Sequence, residues 1–170
     1  MEIEAKLKVD SFEAVLKKLA ELGAALLCDE RQEDVYFDDA DGTLWKADKG
    51  LRLRTAKSGA GERLFLSYKG PREKGLYKRR SEVEFAVSDG KAAAELLGAI
   101  GYKPILTVVK KRLEWMVENC KTALDEVEGL GRFVEIEGAD EKIIAKVQNA
   151  LGLGGVEHVK ESYAQLVEKI

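Results

Sequence analysis

Three Glu-x-Glu pairs and one Arg-x-Arg pair are the residues best placed to do chemistry: Glu2/Glu4, Glu82/Glu84, Glu135/Glu137 and Arg52/Arg54. In an extended chain, side chains at i and i+2 leave the same face about 7 Å apart, so each glutamate pair repels itself unless a cation offsets the charge. Carboxylate oxygens suit Mg²⁺ or Mn²⁺, and a single histidine with two scattered cysteines offers no cluster for a softer ion. Guanidinium and ammonium groups are the usual partners of phosphate oxygens. Acids and bases on one surface therefore suit a polyphosphate whose oxygens are bridged to the acids by divalent cations. The matching reactions are phosphoryl or nucleotidyl transfer.

These pairs need strands to present them. Residues 1–9 alternate strictly, with Glu2, Glu4, Lys6 and Lys8 on one face and Ile3, Ala5, Leu7 and Val9 on the other. The same period-2 reading gives an extended region over 24–37 and strands at 51–55, 63–69, 78–87, 105–117, 120–127 and 132–137. Their polar faces carry the acids Glu2, Glu4, Glu82, Glu84, Asp125, Glu135 and Glu137, and the bases Lys6, Arg52, Arg54, Lys69, Arg80, Lys110 and Arg112. Lys110 shares the face of Arg112, whereas Lys111 shares that of Val109 and Leu113. A half-exposed sheet also alternates charged and apolar residues, and for any single strand that is the simpler reading. For the whole set it is not, because solvent faces mix in Thr, Ser and Gln. If the sheet curls with these faces inward, acids and bases line one channel.

Helices punctuate the strands. Asp10 with Glu13 resembles a capping box, Phe12, Val15, Leu16, Leu19 and Leu22 recur at helical spacing, and Gly23 ends the run. A second helix begins at Ser88-Asp89 with Ala92, Leu96, Leu97 and Ile100 as its stripe. A third spans Asp140–Leu151, and a fourth starts at Ser162. Glu118-Asn119 predicts a hairpin turn, and residues 71–77 a mobile loop. Short connections imply a largely antiparallel sheet within one domain over 1–170.

Composition narrows the partners. The chain has 170 residues, net charge −3 and pI about 5.5, so an anion must be attracted locally rather than by the overall field. That argues against nucleic acid. No signal-peptide pattern and no apolar run of ~20 residues is present, so no membrane partner and a cytoplasmic location are expected. Cys28 and Cys120 read as reduced core residues, His158 as structural, and Trp45 and Trp115 as core. In Lys78-Arg79-Arg80, read as a solvated basic run, only Arg80 is assigned to the face of Glu82 and Glu84. Neither GxxxxGK[ST] nor GxGxxG occurs.

The motifs resemble a known superfamily. Glu2-Ile3-Glu4-Ala5-Lys6 is similar to the signature of the CYTH superfamily, the triphosphate tunnel metalloenzymes. That group unites class IV (CyaB-type) adenylate cyclases with thiamine triphosphatases and inorganic triphosphatases. The resemblance continues in order through Tyr36-Phe37-Asp38, Leu51-Arg52-Leu53-Arg54, Tyr68-Lys69-Gly70, Arg80-Ser81-Glu82-Val83-Glu84, Lys110-Lys111-Arg112, Leu124-Asp125, the run 131–137 and Ser162-Tyr163. It implies an α+β fold: an eight-stranded antiparallel β-barrel forming a tunnel, with helices packed outside. It implies that Glu2, Glu4, Asp125, Glu135 and Glu137 surround Mg²⁺ or Mn²⁺, and that Lys6, Arg52, Arg54, Lys69, Lys110 and Arg112 bind the triphosphate. Arg80, Glu82 and Glu84 match further tunnel positions. ATP, tripolyphosphate and thiamine triphosphate are the implied substrates. Class IV adenylate cyclase-like conversion of ATP to cAMP and pyrophosphate stands slightly ahead of triphosphatase activity, and a non-catalytic polyphosphate-binding module is the remaining alternative. The catalytic base and a homodimer are left open.

Overall fold

A computed structural model describes the backbone of residues 2–170 and the side chains of residues 3–170. In chain order the elements are β1 (Glu2–Val9), α1 (Glu13–Glu21), β2 (Ala25–Asp38), α2 (Thr43–Lys46), β3 (Gly50–Ser58), β4 (Gly61–Lys69), β5 (Lys78–Arg80), β6 (Glu82–Val87), α3 (Gly90–Ala99), β7 (Lys103–Val117), β8 (Cys120–Val127), β9 (Gly131–Glu137), α4 (Glu141–Ala150) and α5 (Tyr163–Val167). Every strand pair is antiparallel, because most successive strands meet through short turns. At the β7–β8 hairpin, Glu118 and Asn119 take φ of 46° and 62°, as the expected two-residue turn requires.

The strands form one sheet in the order β5-β1-β9-β8-β7-β2-β3-β4-β6. Its two end strands, β5 and β6, are consecutive in the chain and separated only by Ser81. The expected single strand 78–87 is thus one run that pairs with β1 through its first part and β4 through its second, which brings the eight-stranded barrel round on itself. At the break, the Gly70 N–H donates to the Ser81 carbonyl at 2.9 Å. A Cβ on Gly70 would lie 2.2 Å from Ser81 Oγ, so this approach needs glycine. The long strands β2 and β7 slip register between Leu26 and Cys28 and between Tyr36 and Phe37, bulges that let such strands bend.

Apolar residues turn outward, and helices cover part of that face, while Val83 and Phe85 of β6 stay exposed. Ile3, Ala5 and Leu7 of β1 pack with Val15 and Leu19 of α1 and Ile144 and Val147 of α4. α3 lies over Phe37 and Leu53 through Leu97, Ala93 and Ala94. The expected stripe holds at Leu97 and is corrected at Leu96 and Ile100, which are 63% and 62% exposed, because Ala93 and Ala94 flank Leu97 on the face that meets the barrel. The Asp10–Glu13 capping box is also absent; Ser11 Oγ accepts the Glu13 N–H at 3.1 Å instead. Asp89 and Asp140 do cap α3 and α4, each accepting first-turn N–H groups.

After α4 the chain returns along β1, with the Val159 N–H donating to the Lys6 carbonyl at 2.8 Å. This lays α5 across the barrel, started by a capping box between Ser162 and Gln165. Among the described residues, no helix is long and apolar enough to cross a membrane.

Candidate active site

The inward faces of the strands enclose a cavity of about 500 Å³. All six expected phosphate-binding bases line it, from Lys6 on β1 through Arg52 and Arg54 on β3, Lys69 on β4, and Lys110 and Arg112 on β7. Arg80, Glu82 and Glu84 line it too, as do Glu4, Glu135 and Glu137. Among the described residues the lining carries eleven bases against nine acids. The lumen therefore has a positive excess inside a chain of net charge −3, which concentrates anion attraction where the bases are.

Acids hold most of these bases in place. Asp34 receives a fork from Arg54, Nε to Oδ1 at 2.6 Å and Nη2 to Oδ2 at 2.7 Å. Arg52 reaches Asp34 at 3.4 Å, Ser67 Oγ at 3.0 Å and Glu84 at 3.1 Å. Lys69 pairs with Glu82 at 3.2 Å. Burial pushes the Asp34 carboxyl up, but the Arg52 and Arg54 guanidiniums outweigh it and hold it well below the usual carboxylate range. A guanidinium already fixed by a carboxylate fork loses little freedom when it meets a phosphate.

A second group centres on Asp125, which is fully buried and lies behind the lining rather than in it. Its oxygens accept from Lys110 Nζ at 3.0 Å, Arg112 Nε at 2.7 Å and Nη2 at 2.5 Å, and the Tyr163 hydroxyl at 2.9 Å. Glu135 accepts from Arg112 at 2.5 Å and pairs with Lys6 at 3.4 Å. Lys6 and Lys110 both sit over the Tyr163 ring, 4.0 and 4.8 Å from its centre. Burial lowers the Lys6 ammonium to about 8, with Lys78 adding repulsion; burial and Arg112 bring Lys110 to about 8 as well. For Glu135 burial works upward, but Lys6 and Arg112 hold the carboxyl well below its usual range.

The expected metal ligands divide three ways. The Glu2 side chain lies outside the described residues; Asp125 and Glu135 act as counter-charges to bases; Glu4 and Glu137 remain. Those two are register partners on β1 and β9, which sets like charges side by side on the lumen wall. Lys78 Nζ donates to Glu4 Oε1 at 2.7 Å and offsets part of that repulsion. Among the described residues no three His, Cys, Asp or Glu side chains converge to hold an ion. No histidine lines the cavity. The oxygen donors nonetheless fit Mg²⁺ or Mn²⁺, since Mg²⁺ commonly takes only one or two carboxylates and completes its shell with water and phosphate oxygens.

Several lining residues were not anticipated. Lys78 turns inward with Arg80, Glu82 and Glu84, a correction that simple alternation from Arg80 would have supplied. Glu30, Gln32 and Asp34 on β2 also face the cavity. Their signal was weak because Arg31 and Glu33 between them are equally polar. Cys28 lines the cavity rather than the core, whereas Cys120 is buried; both are free thiols. Arg80 donates to the carbonyls of Gly70 at 2.6–2.8 Å and Asp48 at 2.9 Å, anchoring the turns at one mouth. The loop 71–77 is tied there as well, through Arg72 to Asp48 at 2.8 Å and to the Lys160 carbonyl at 2.6 Å. His158 lies outside the lining, with Nε2 3.0 Å from Gln148 Oε1 and its ring edge-on to Tyr77. Trp115 packs on the core as expected; Trp45 borders both its apolar cluster and the cavity.

Residues 1–163 match the family described as the CYTH domain. The chain is 29% identical over 178 residues to the adenylate cyclase CyaB of Aeromonas hydrophila, covering 99% of this chain and 89% of that protein. The solved structure of PH1819 from Pyrococcus horikoshii OT3 is 33% identical, covers 100% of both chains and superposes with a TM-score of 0.85. HpAC1 from Hippeastrum, described as having a dominant triphosphatase activity, shares the fold at a TM-score of 0.80 and 21% identity, over 99% of this chain and 96% of its own.

Proposed function

The chain belongs to the CYTH domain family, and on that premise we propose that it is a metal-dependent enzyme acting on a triphosphate held in the barrel. The observation that carries the reading is the meeting of six bases and the opposed Glu4–Glu137 pair in one cavity. The number of carboxylates alone does not carry it, since Asp34, Glu82, Glu84, Asp125 and Glu135 are accounted for as partners of bases. Glu4 is likewise paired, with Lys78, and its opposition to Glu137 on the neighbouring strand is a repulsion that a divalent cation would relieve.

In this reading Arg52, Arg54, Lys69, Lys110, Arg112 and Lys6 bind the phosphate oxygens, and Asp34 and Asp125 hold the guanidiniums in position. Mg²⁺ or Mn²⁺ at Glu4 and Glu137 would neutralise charge on the phosphates as the bond to the leaving group breaks. Arg80 keeps the mouth in shape. For a cyclase, the ribose 3′-oxygen bonds to the α-phosphorus, its proton is lost and pyrophosphate leaves. For a triphosphatase, water attacks the terminal phosphorus and orthophosphate leaves.

We place the cyclase-like reaction first, on the full-length similarity to CyaB. Hydrolysis is the second reading, because the same bases and acids serve it and the HpAC1 fold carries a dominant triphosphatase activity. The test is a panel of ATP, tripolyphosphate and thiamine triphosphate with Mg²⁺ or Mn²⁺, scoring cAMP, pyrophosphate and phosphate separately. Formation of cAMP selects the cyclase; phosphate from tripolyphosphate without cAMP from ATP selects hydrolysis. Tight triphosphate binding with no product from any substrate rejects both.

A further inference from the structure

Acids hold most bases of the cavity, but two of the bases also share a holder that carries no charge. Tyr163, the first residue of α5, is buried and reaches the cavity wall. The Lys6 and Lys110 ammoniums lie 4.0 and 4.8 Å from its ring centre, and its hydroxyl donates to Asp125 Oδ2 at 2.9 Å. The same Oδ2 accepts from Lys110 at 3.0 Å, so ring, hydroxyl, carboxylate and lysine form one closed set. The ring is itself fixed. Phe133 meets it edge-on at 5.2 Å, and the Ser162–Gln165 capping box starts the helix that carries it. Just before that box, the Glu161 carbonyl accepts from Lys6 Nζ at 3.0 Å.

Acid and ring differ in what they leave for a ligand. A carboxylate that fixes a base also cancels part of the charge offered to phosphate. The negative face of an aromatic ring attracts an ammonium and leaves its positive charge in place. A lysine stem is flexible, and ordering it in advance removes a cost that binding would otherwise meet. Tyrosine combines the ring face with a hydroxyl that can donate to the acid behind it. We propose that Tyr163 is a positioning residue for the phosphate site: its ring presents Lys6 and Lys110 to the phosphate oxygens, and its hydroxyl sets the ring against Asp125. α5 is then part of the binding machinery as well as a cover for the barrel. The proposal rests on the reading of this cavity as a triphosphate site.

Calorimetric binding of tripolyphosphate in EDTA tests it, since this ligand has no ring to stack on Tyr163 and no metal-dependent turnover consumes it. Tyr163→Leu should weaken binding about tenfold, whereas Tyr163→Phe, which keeps the ring, should stay within about threefold of native. Urea unfolding checks that each variant is folded under the binding conditions. In a Lys110→Met background Tyr163→Leu should cost only about threefold, because the ring acts through the lysines. In the native chain, the ring current of Tyr163 should move the ε-methylene proton resonances of Lys6 and Lys110 upfield, and the displacement should persist when tripolyphosphate is added. That readout stands even where the leucine variant fails to fold. A folded Tyr163→Leu chain that binds within about threefold of native overturns the proposal and leaves the triphosphate reading intact. So does an undiminished cost in the Lys110→Met background, or loss of the upfield displacement on binding. If the native chain binds neither tripolyphosphate nor ATP, both readings fail.

Discussion

Arg112 and Asp125 face each other across β7 and β8 as direct register partners, joined side-on by two hydrogen bonds of 2.7 and 2.5 Å. The pair fixes one of the cavity's bases before any ligand arrives, and Lys110 and Tyr163 share the same carboxylate. Neutralising it by Asp125→Asn takes from the buried Lys110 its carboxylate partner and leaves Arg112 with Glu135. Breaking a buried ion pair costs about 3–5 kcal/mol, so a fall of that size in urea-unfolding free energy is expected. A loss under about 1 kcal/mol would show that Asp125 does not anchor this group.

Glu4→Gln and Glu137→Gln each remove one charge of the opposed pair. Turnover in Mg²⁺ or Mn²⁺ is expected to fall about 100-fold or more, the scale of losing metal-assisted charge stabilisation, with the circular dichroism spectrum unchanged. Native rates in both variants, across the substrate panel, would rule out this pair as the metal site.

The lysines near 8 predict opposite pH trends for affinity and stability. Lys6 and Lys110 carry charge below about 8 and lose it above, so kcat/KM for a triphosphate should decline as pH rises through that value. Between about 8 and the ordinary lysine value of 10.5, the unfolded chain binds more protons than the folded one. These two groups therefore make the fold more stable as pH climbs through the same window. Lys6→Arg and Lys110→Arg should shift the fall in kcat/KM to higher pH, and a profile that both variants leave in place would assign the fall to other groups.

His158 is expected to matter only for packing. His158→Ala removes the contacts with Gln148 and Tyr77 and should lower unfolding free energy by about 1 kcal/mol, with kcat unaltered. A collapse of kcat with stability retained would give the histidine a chemical role.

The barrel and its lining were legible where one face of a strand is apolar. In β1, Ile3, Ala5 and Leu7 identify the outside, so Glu4 and Lys6 must turn in; in β7, Leu113 does the same for Arg112. Along residues 30–34 both faces are polar, and nothing in the pattern separates Asp34, which grips two arginines, from Glu33, which pairs on the outside with Arg31. Depth was illegible as well. Asp125 shares a face with lining residues, yet the side chains of Lys110, Arg112 and Tyr163 stand over it, a fact set by tertiary packing. α3 had two overlapping apolar stripes, and the barrel took the one with smaller side chains because it lets the helix approach Phe37 and Leu53 closely.

The order in which the barrel can be completed follows from where β1 sits. It precedes every other strand of the barrel in the sequence, yet its two neighbours are β9, residues 131–137, and β5, residues 78–80. A nascent chain holding only residues 1–130 can pair β1 along β5 alone, through three register positions. Six further positions appear only with β9, after nearly four-fifths of the chain has been made. Until then Glu4 and Lys6 sit on a loosely held strand in water. The charged wall of the cavity is consequently assembled late, by contacts distant in sequence, and ring closure is the slow event to look for in refolding.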